Sequence, residues 1–169
     1  MIQMNDLSTA AVAEGKSPYD RLRAMGIEIP RSPLPVANFV THVREGNLLF
    51  LSGQGPMQPD GFEHHGKVGA DISLDEAYGH ARITGINLLA VMQEALGSLD
   101  RVRRVVKLFG MVNAVPDFTA HPQVINGCSD LFVAVFGEER GRHARSAVGM
   151  GSLPNQITVE IEAVIAVEV

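Results

Sequence analysis

The closing stretch Ile157-Thr-Val-Glu-Ile-Glu-Ala-Val-Ile-Ala-Val-Glu-Val169 alternates with a period of two. Ile157, Val159, Ile161, Ala163, Ile165 and Val167 share one side, and Thr158, Glu160, Glu162, Val164, Ala166 and Glu168 share the other. This reads as a long strand with its first side in a core. Its second side begins acidic and becomes apolar. The segment before it, Ala144 to Met150, reads as another strand. There Ala144, Ser146, Val148 and Met150 alternate with Arg145, Ala147, Gly149 and Gly151. Turning the more apolar set toward the core puts Arg145 on the same sheet face as Glu160 and Glu162.

Working back along the chain, Val102 to Ala114 is a third strand with apolar residues on both sides. Val106, Leu108 and Val112 fall on one side, and Val105, Phe109 and Met111 on the other. Ser73-Leu74-Asp75-Glu76 is a capping box that opens a helix running to Gly97. Pro122 to Phe136 reads as a second helix, closed by Gly137. Phe39 to Arg44 and Asn47 to Gly53 form a hairpin around Glu45-Gly46, and Gln54 to Ala70 reads as a loop. The order is β-β-α-β-α-β-β, an α+β architecture. Two helices cover only one face of such a sheet. A second copy of the chain is the simplest cover for the other, which predicts an oligomer packed sheet to sheet.

Residues 1–36 differ in character. Ser17-Pro18 is a cap followed by Pro at the first helical position, with Tyr19, Leu22 and Met25 at helical spacing. The proline-rich Ile29 to Pro35 follows. We read 1–36 as an N-terminal helix and Pro-rich extension, and 37–169 as the main domain.

The chain has 169 residues, which suits one domain with a tail. Its 14 basic and 19 acidic residues give a net charge of −5, and it has no Trp, which disfavours nucleic-acid binding. The single cysteine, Cys128, excludes an internal disulfide and a cysteine-built zinc site. No apolar run approaches a membrane span, and Met1 to Glu14 has no signal-type pattern, so a cytoplasmic protein is expected. Glu76 and His80 share one helix face, but no third metal ligand falls at a suitable spacing. Ser52 lacks a nucleophile elbow, Cys128 lacks a basic neighbour, and Gly53-Gln54-Gly55 lacks a following helix start. Arg145 is more informative. Its planar fork suits a carboxylate ligand, and an ion pair with Glu160 or Glu162 is the alternative.

At these residues the chain resembles the YjgF/RidA family of reactive-intermediate deaminases, also called endoribonuclease L-PSP. The matching segments are Asn47 to Gln54, Gly97 to Lys107, Asn113 to Phe118, Ala144-Arg145-Ser146, and Leu153-Pro154 through Glu160 to Ala163. Gly66 to Gly69 and Gly141 to Arg145 look like a longer branch of it. The resemblance covers about residues 37–169. It implies a chorismate-mutase-like fold, with two helices on one face of a mixed sheet and the other face buried in a homotrimer. It implies hydrolysis of enamines and imines such as 2-aminoacrylate to a 2-keto acid and ammonia, in clefts between subunits, without metal or organic cofactor. By the resemblance, Arg145 binds the substrate carboxylate and Glu160 orients the water. Ser52 and Asn126 match substrate-side residues. Phe39 stands where a tyrosine is usual, and Ala147 where a cysteine is frequent. These two departures motivate an alternative, a protein that binds or senses small carboxylates without efficient catalysis. RNA cleavage is a third reading, opposed by the net charge.

Overall fold

The computed structural model describes residues 17–169. Met1 to Glu14, read above for a signal pattern, lie outside the described residues. The elements are α1 (Pro18–Ala24), β1 (His42–Glu45), β2 (Leu48–Gln54), α2 (Leu74–Leu96), β3 (Val102–Asn113), α3 (His121–Gly141), β4 (Ala144–Met150) and β5 (Val159–Val167). The strands form one sheet in the order β1-β2-β5-β3-β4. All neighbours are antiparallel except β3 and β4, whose parallel pairing requires a crossover, supplied by α3.

Local chemistry sets the helix ends. The Ser73 hydroxyl accepts from the Glu76 N–H, while the Glu76 carboxylate accepts from the Ser73 N–H at 2.8 Å. Gly97, at φ 74°, closes α2. Ser17 caps α1 in the same way. Leu22 of α1 is buried in the main core, and the Tyr19 hydroxyl accepts from Leu99 N–H at 2.8 Å.

The core lies between the sheet and the α2–α3 pair. Val159, Ile161, Ala163, Ile165 and Val167 are all buried there, as the alternation of the last strand requires. The helices approach so closely that some contacts admit only glycine. A Cβ at Gly110 of β3 would stand 2.5 Å from the Ile125 side chain. One at Gly127 of α3 would enter the Tyr78 carbonyl oxygen of α2 and lie 3.0 Å from Arg82 N. The buried Asn87 amide donates to the Gly55 and Met57 carbonyls at 2.9 Å each, pinning the 54–70 loop to α2. His80 turns to Thr158 (3.0 Å) and stacks on His64 (ring centroids 4.0 Å). Burial, and then His64, lower its pKa to about 4, so the ring is neutral at ordinary pH. Glu76 is thus engaged in its cap and His80 with Thr158. Among the described residues no helix is long and apolar enough to cross a membrane.

Several element boundaries and registers depart from the sequence reading. Phe39 precedes β1, which starts at His42; the Phe39 N–H is spent on Ala37 O rather than on the ladder. The register of β3 against β5 shifts between Val105 and Lys107. This bulge resets the alternation, so Val105 joins Leu108 and Val112 in the core while Val106 is exposed. The chain coils on past Gly137, whose φ of 82° makes a kink rather than an end. The last strand is shorter at both ends, spanning Val159–Val167, and its start is delayed by the turn in which Asn155 and Gln156 take positive φ.

Gly127→Ala is expected to destabilise the chain by roughly 1–3 kcal/mol, because two backbones must separate. Gly79→Ala on α2, with nothing within 4 Å of its Cβ, is expected to be neutral or stabilising. Urea unfolding of the two variants checks this.

Candidate active site

The partner strand decides which way Arg145 points. Leu108 pairs with Arg145, Gly110 with Ala147 and Val112 with Gly149 in the parallel β3–β4 register. Leu108 and Val112 face the helices, so Arg145, Ala147 and Gly149 do too. This corrects the expectation that Arg145 shares a face with Glu160 and Glu162. The physical reason is crowding. A Cβ at Gly149 would sit 2.5 Å from His121 Nε2 at the start of α3, so this side of β4 takes small residues. Val148 and Met150 turn the other way and pack with Phe109, Met111, Leu153 and Ile157.

Arg145 is half-buried and held by α3. Its Nη1 donates to Asn126 Oδ1 at 2.8 Å and to Ser129 Oγ at 3.0 Å, and its Nη2 donates to the Pro122 carbonyl at 3.2 Å. Asn126 and Ser129 are three residues apart and so lie on one helix face. All three acceptors are neutral. Among the described residues Arg145 forms no ion pair, so neither Glu160 nor Glu162 neutralises it. A guanidinium has five N–H donors, of which three are spent. The two left are on Nε and on Nη2, neighbouring nitrogens of the fork that suits a carboxylate. Behind Ser129 stands His143, with Nε2 2.9 Å from Ser129 Oγ and Nδ1 2.7 Å from Gly141 O. Burial is the main cause that holds the His143 pKa below its ordinary value.

Glu160 belongs to a second group. It pairs with Met111 on the sheet face away from the helices, two strands from Arg145. Its carboxylate lies directly over Gly53, where a Cβ would be 2.9 Å from its Cδ. Burial, and secondly the charge of Glu162, raise the Glu160 pKa. Ser52 precedes Gly53 at an irregularity of β2, and its hydroxyl donates to Val40 O at 2.7 Å. Phe39, 45% exposed, is the next residue back along that segment.

The six residues singled out from the sequence therefore fall into two sets. Arg145, Asn126 and Ala147 meet on the helix side of the β4 edge, and Ala147 packs against the core. Ser52, Glu160 and the Phe39 segment meet around β2 and β5. Ser129, His143 and Gly53 were not singled out. The Gly141 to Arg145 stretch contained His143, and the helical spacing from Asn126 would have found Ser129. Among the described residues nothing covers the apolar side of the sheet: Val43, Phe50 and Val164 line up across β1, β2 and β5, with Val43 54% and Phe50 43% exposed. Cys128 is fully buried, and burial pushes its thiol pKa up, away from reactivity.

Comparison with known proteins is consistent across sequence and structure. The family described as "YjgF/chorismate mutase-like, putative endoribonuclease" matches residues 19–160. Protein TCP17 of Trypanosoma cruzi is 43% identical over 156 residues, covering 92% of this chain and 97% of that protein. The crystal structure of Atu1372 from Agrobacterium tumefaciens, of unknown function, superposes with a TM-score of 0.81 at 41% identity, covering 97% of this chain and 100% of that one. The 2-iminobutanoate/2-iminopropanoate deaminase of Dermatophagoides farinae is 28% identical over 147 residues, covering 84% of this chain and 95% of that protein.

Glu162→Gln is expected to lower the Glu160 pKa, since it removes the like charge beside it. It should not restore the ordinary value, because burial is the larger cause. Carboxyl NMR titration of Glu160 in both proteins checks the direction.

Proposed function

Because the chain belongs to the YjgF/chorismate mutase-like family, we propose that it hydrolyses small 2-imino acids and their enamine tautomers to 2-keto acids and ammonia. The observation that carries this reading is Arg145. It is a half-buried cation with three neutral partners, no carboxylate partner among the described residues, and donors to spare on Nε and Nη2. Such a group suits the carboxylate of a small acid. The name of the Dermatophagoides farinae relative, at 28% identity, supports the imino-acid class.

In the proposed reaction the carboxylate docks on the Arg145 fork. Water adds to the imine carbon and forms the C–O bond while the nitrogen takes up a proton. The resulting carbinolamine then breaks its C–N bond, releasing ammonia and leaving the ketone. Water is the only co-reactant. Glu160, whose raised pKa suits both taking and returning a proton, positions the water and passes its proton to the nitrogen. Fixing water and carbon against each other supplies much of the acceleration.

Arg145 and Glu160 lie on opposite sheet faces, so one chain does not bring them to one substrate. The reading therefore includes self-association, with Arg145 of one copy beside Glu160 of the next. The uncovered Val43, Phe50 and Val164 row supports this, because burying it against a second copy removes apolar surface from water. The homotrimer implied by the family resemblance is the assembly we propose. Phe39 and Ala147, which bring neither hydroxyl nor thiol, favour the second reading, a carboxylate-binding protein with weak turnover. The RNA-cleaving reading in the family description is opposed by the net charge of −5.

The test is ammonia release from enzymatically generated 2-aminoacrylate and 2-iminobutanoate. Arg145→Ala should abolish turnover through substrate binding. Glu160→Gln should lower kcat by about 10²–10⁴-fold. Gly53→Ala should keep the fold but displace the Glu160 carboxylate, lowering kcat by about 10²-fold. Binding of 2-keto acids without any ammonia release from the wild type would select the second reading.

A further inference from the structure

We propose that His143, acting through Ser129, is a positioning residue that sets the Arg145 fork for its carboxylate. The inference rests on the reading of Arg145 as the carboxylate anchor and adds what holds that anchor in place.

The hydrogen-bond directions follow from the donor inventory. His143 Nδ1 lies 2.7 Å from Gly141 O, and a carbonyl only accepts, so Nδ1 carries the proton. The ring is neutral, as its burial favours, and Nε2 is therefore a bare acceptor. The group facing it at 2.9 Å is the Ser129 hydroxyl, which donates its hydrogen there. Arg145 Nη1 can only donate, so at 3.0 Å it is received by a Ser129 lone pair. The result is a chain of single polarity: Arg145 N–H to Ser129 Oγ, Ser129 O–H to His143 Nε2, His143 Nδ1–H to Gly141 O. Each donation strengthens the acceptor behind it.

The acceptor at position 143 has a specific effect. A helical serine without an outside acceptor donates to the carbonyl one turn back along its own helix. His143 diverts that hydrogen and holds the Ser129 lone pairs on the guanidinium. Asn126 and Ser129 together then hold Nη1, and Nε with the remaining Nη2 donor is left for the ligand. The neighbouring charges do not substitute for this. Arg142 is spent on Glu138 (3.1 Å) with both side chains about three-quarters exposed, and Asp130 accepts from the Tyr78 hydroxyl at 2.9 Å.

A fault in this relay loosens the carboxylate grip and leaves the water and Glu160 untouched. It therefore changes ligand affinity and KM rather than kcat. The probe is 2-oxobutanoate, bound to the full-length protein and measured by calorimetry, with imine turnover measured alongside. Ser129→Ala should weaken binding about tenfold. His143→Leu should weaken it several-fold, and His143→Gln, which keeps an acceptor, should recover most of the loss. The double variant Ser129→Ala with His143→Leu should bind no worse than Ser129→Ala alone, because the histidine acts only through the serine. Each single variant should keep kcat within about twofold of wild type. Should His143→Leu fail to fold, Ser129→Thr, which keeps the hydroxyl, replaces it and should bind like wild type. Wild-type affinity in Ser129→Ala and His143→Leu, with Arg145→Ala inactive, overturns this proposal alone. Unchanged binding in Arg145→Ala overturns it together with the anchor reading.

Discussion

The closeness of α3 to its neighbours is the constraint on which the rest of the structure depends. Gly127 lets its backbone touch that of α2, and Gly110 lets Ile125 settle onto β3. An interior packed at crystal-like density has no slack to absorb an added carbon there. The same closeness leaves room only for small side chains, Ala147 and Gly149, on the helix side of β4 beyond Arg145. Arg145 itself is admitted because α3 presents Asn126, Ser129 and the Pro122 carbonyl to it. The larger apolar residues of β4 are sent to the opposite face, where they enlarge the surface that a single chain leaves uncovered.

Two consequences for function follow from that geometry. Among the described residues Arg145 has no carboxylate partner, which supports its reading as an anchor for an external anion. Glu160 sits two strands away on the other side of the sheet, about 10 Å across it by strand spacing alone. The sheet thus divides the guanidinium from the carboxylate, and the apolar face is the one we propose that a second copy covers. Both features support the proposed reading, in which one chain begins a site and another completes it.

Much of the fold was legible because its signals are local. The capping box at Ser73, the left-handed glycine at Gly97 and the alternation of Val159 to Val167 each work within a few residues. The face of Arg145 was not legible, because on an edge strand of small residues the apolar pattern is weak and the register against β3 decides. The Val105–Lys107 bulge escaped for a related reason: a bulge lies in the pairing of two strands, not in the composition of one. The fork of Arg145 was legible as chemistry from its own strand, and family likeness brought Asn126 and Glu160 into view. Ser129 and His143 emerged only with side-chain distances, since a serine and a histidine fourteen residues apart carry no pattern of their own.

The central claim, that Arg145 of one copy and Glu160 of another serve one substrate, is tested most directly by mixing two inactive variants. Arg145→Ala and Glu160→Gln chains, unfolded together in equal amounts and refolded, should regain imine hydrolysis although neither refolds to an active protein alone. Random association would restore about one quarter of the sites, those pairing an intact Arg145 with a neighbour's intact Glu160. Mixed assemblies confirmed by mass spectrometry that remain as inactive as their parents would contradict the account.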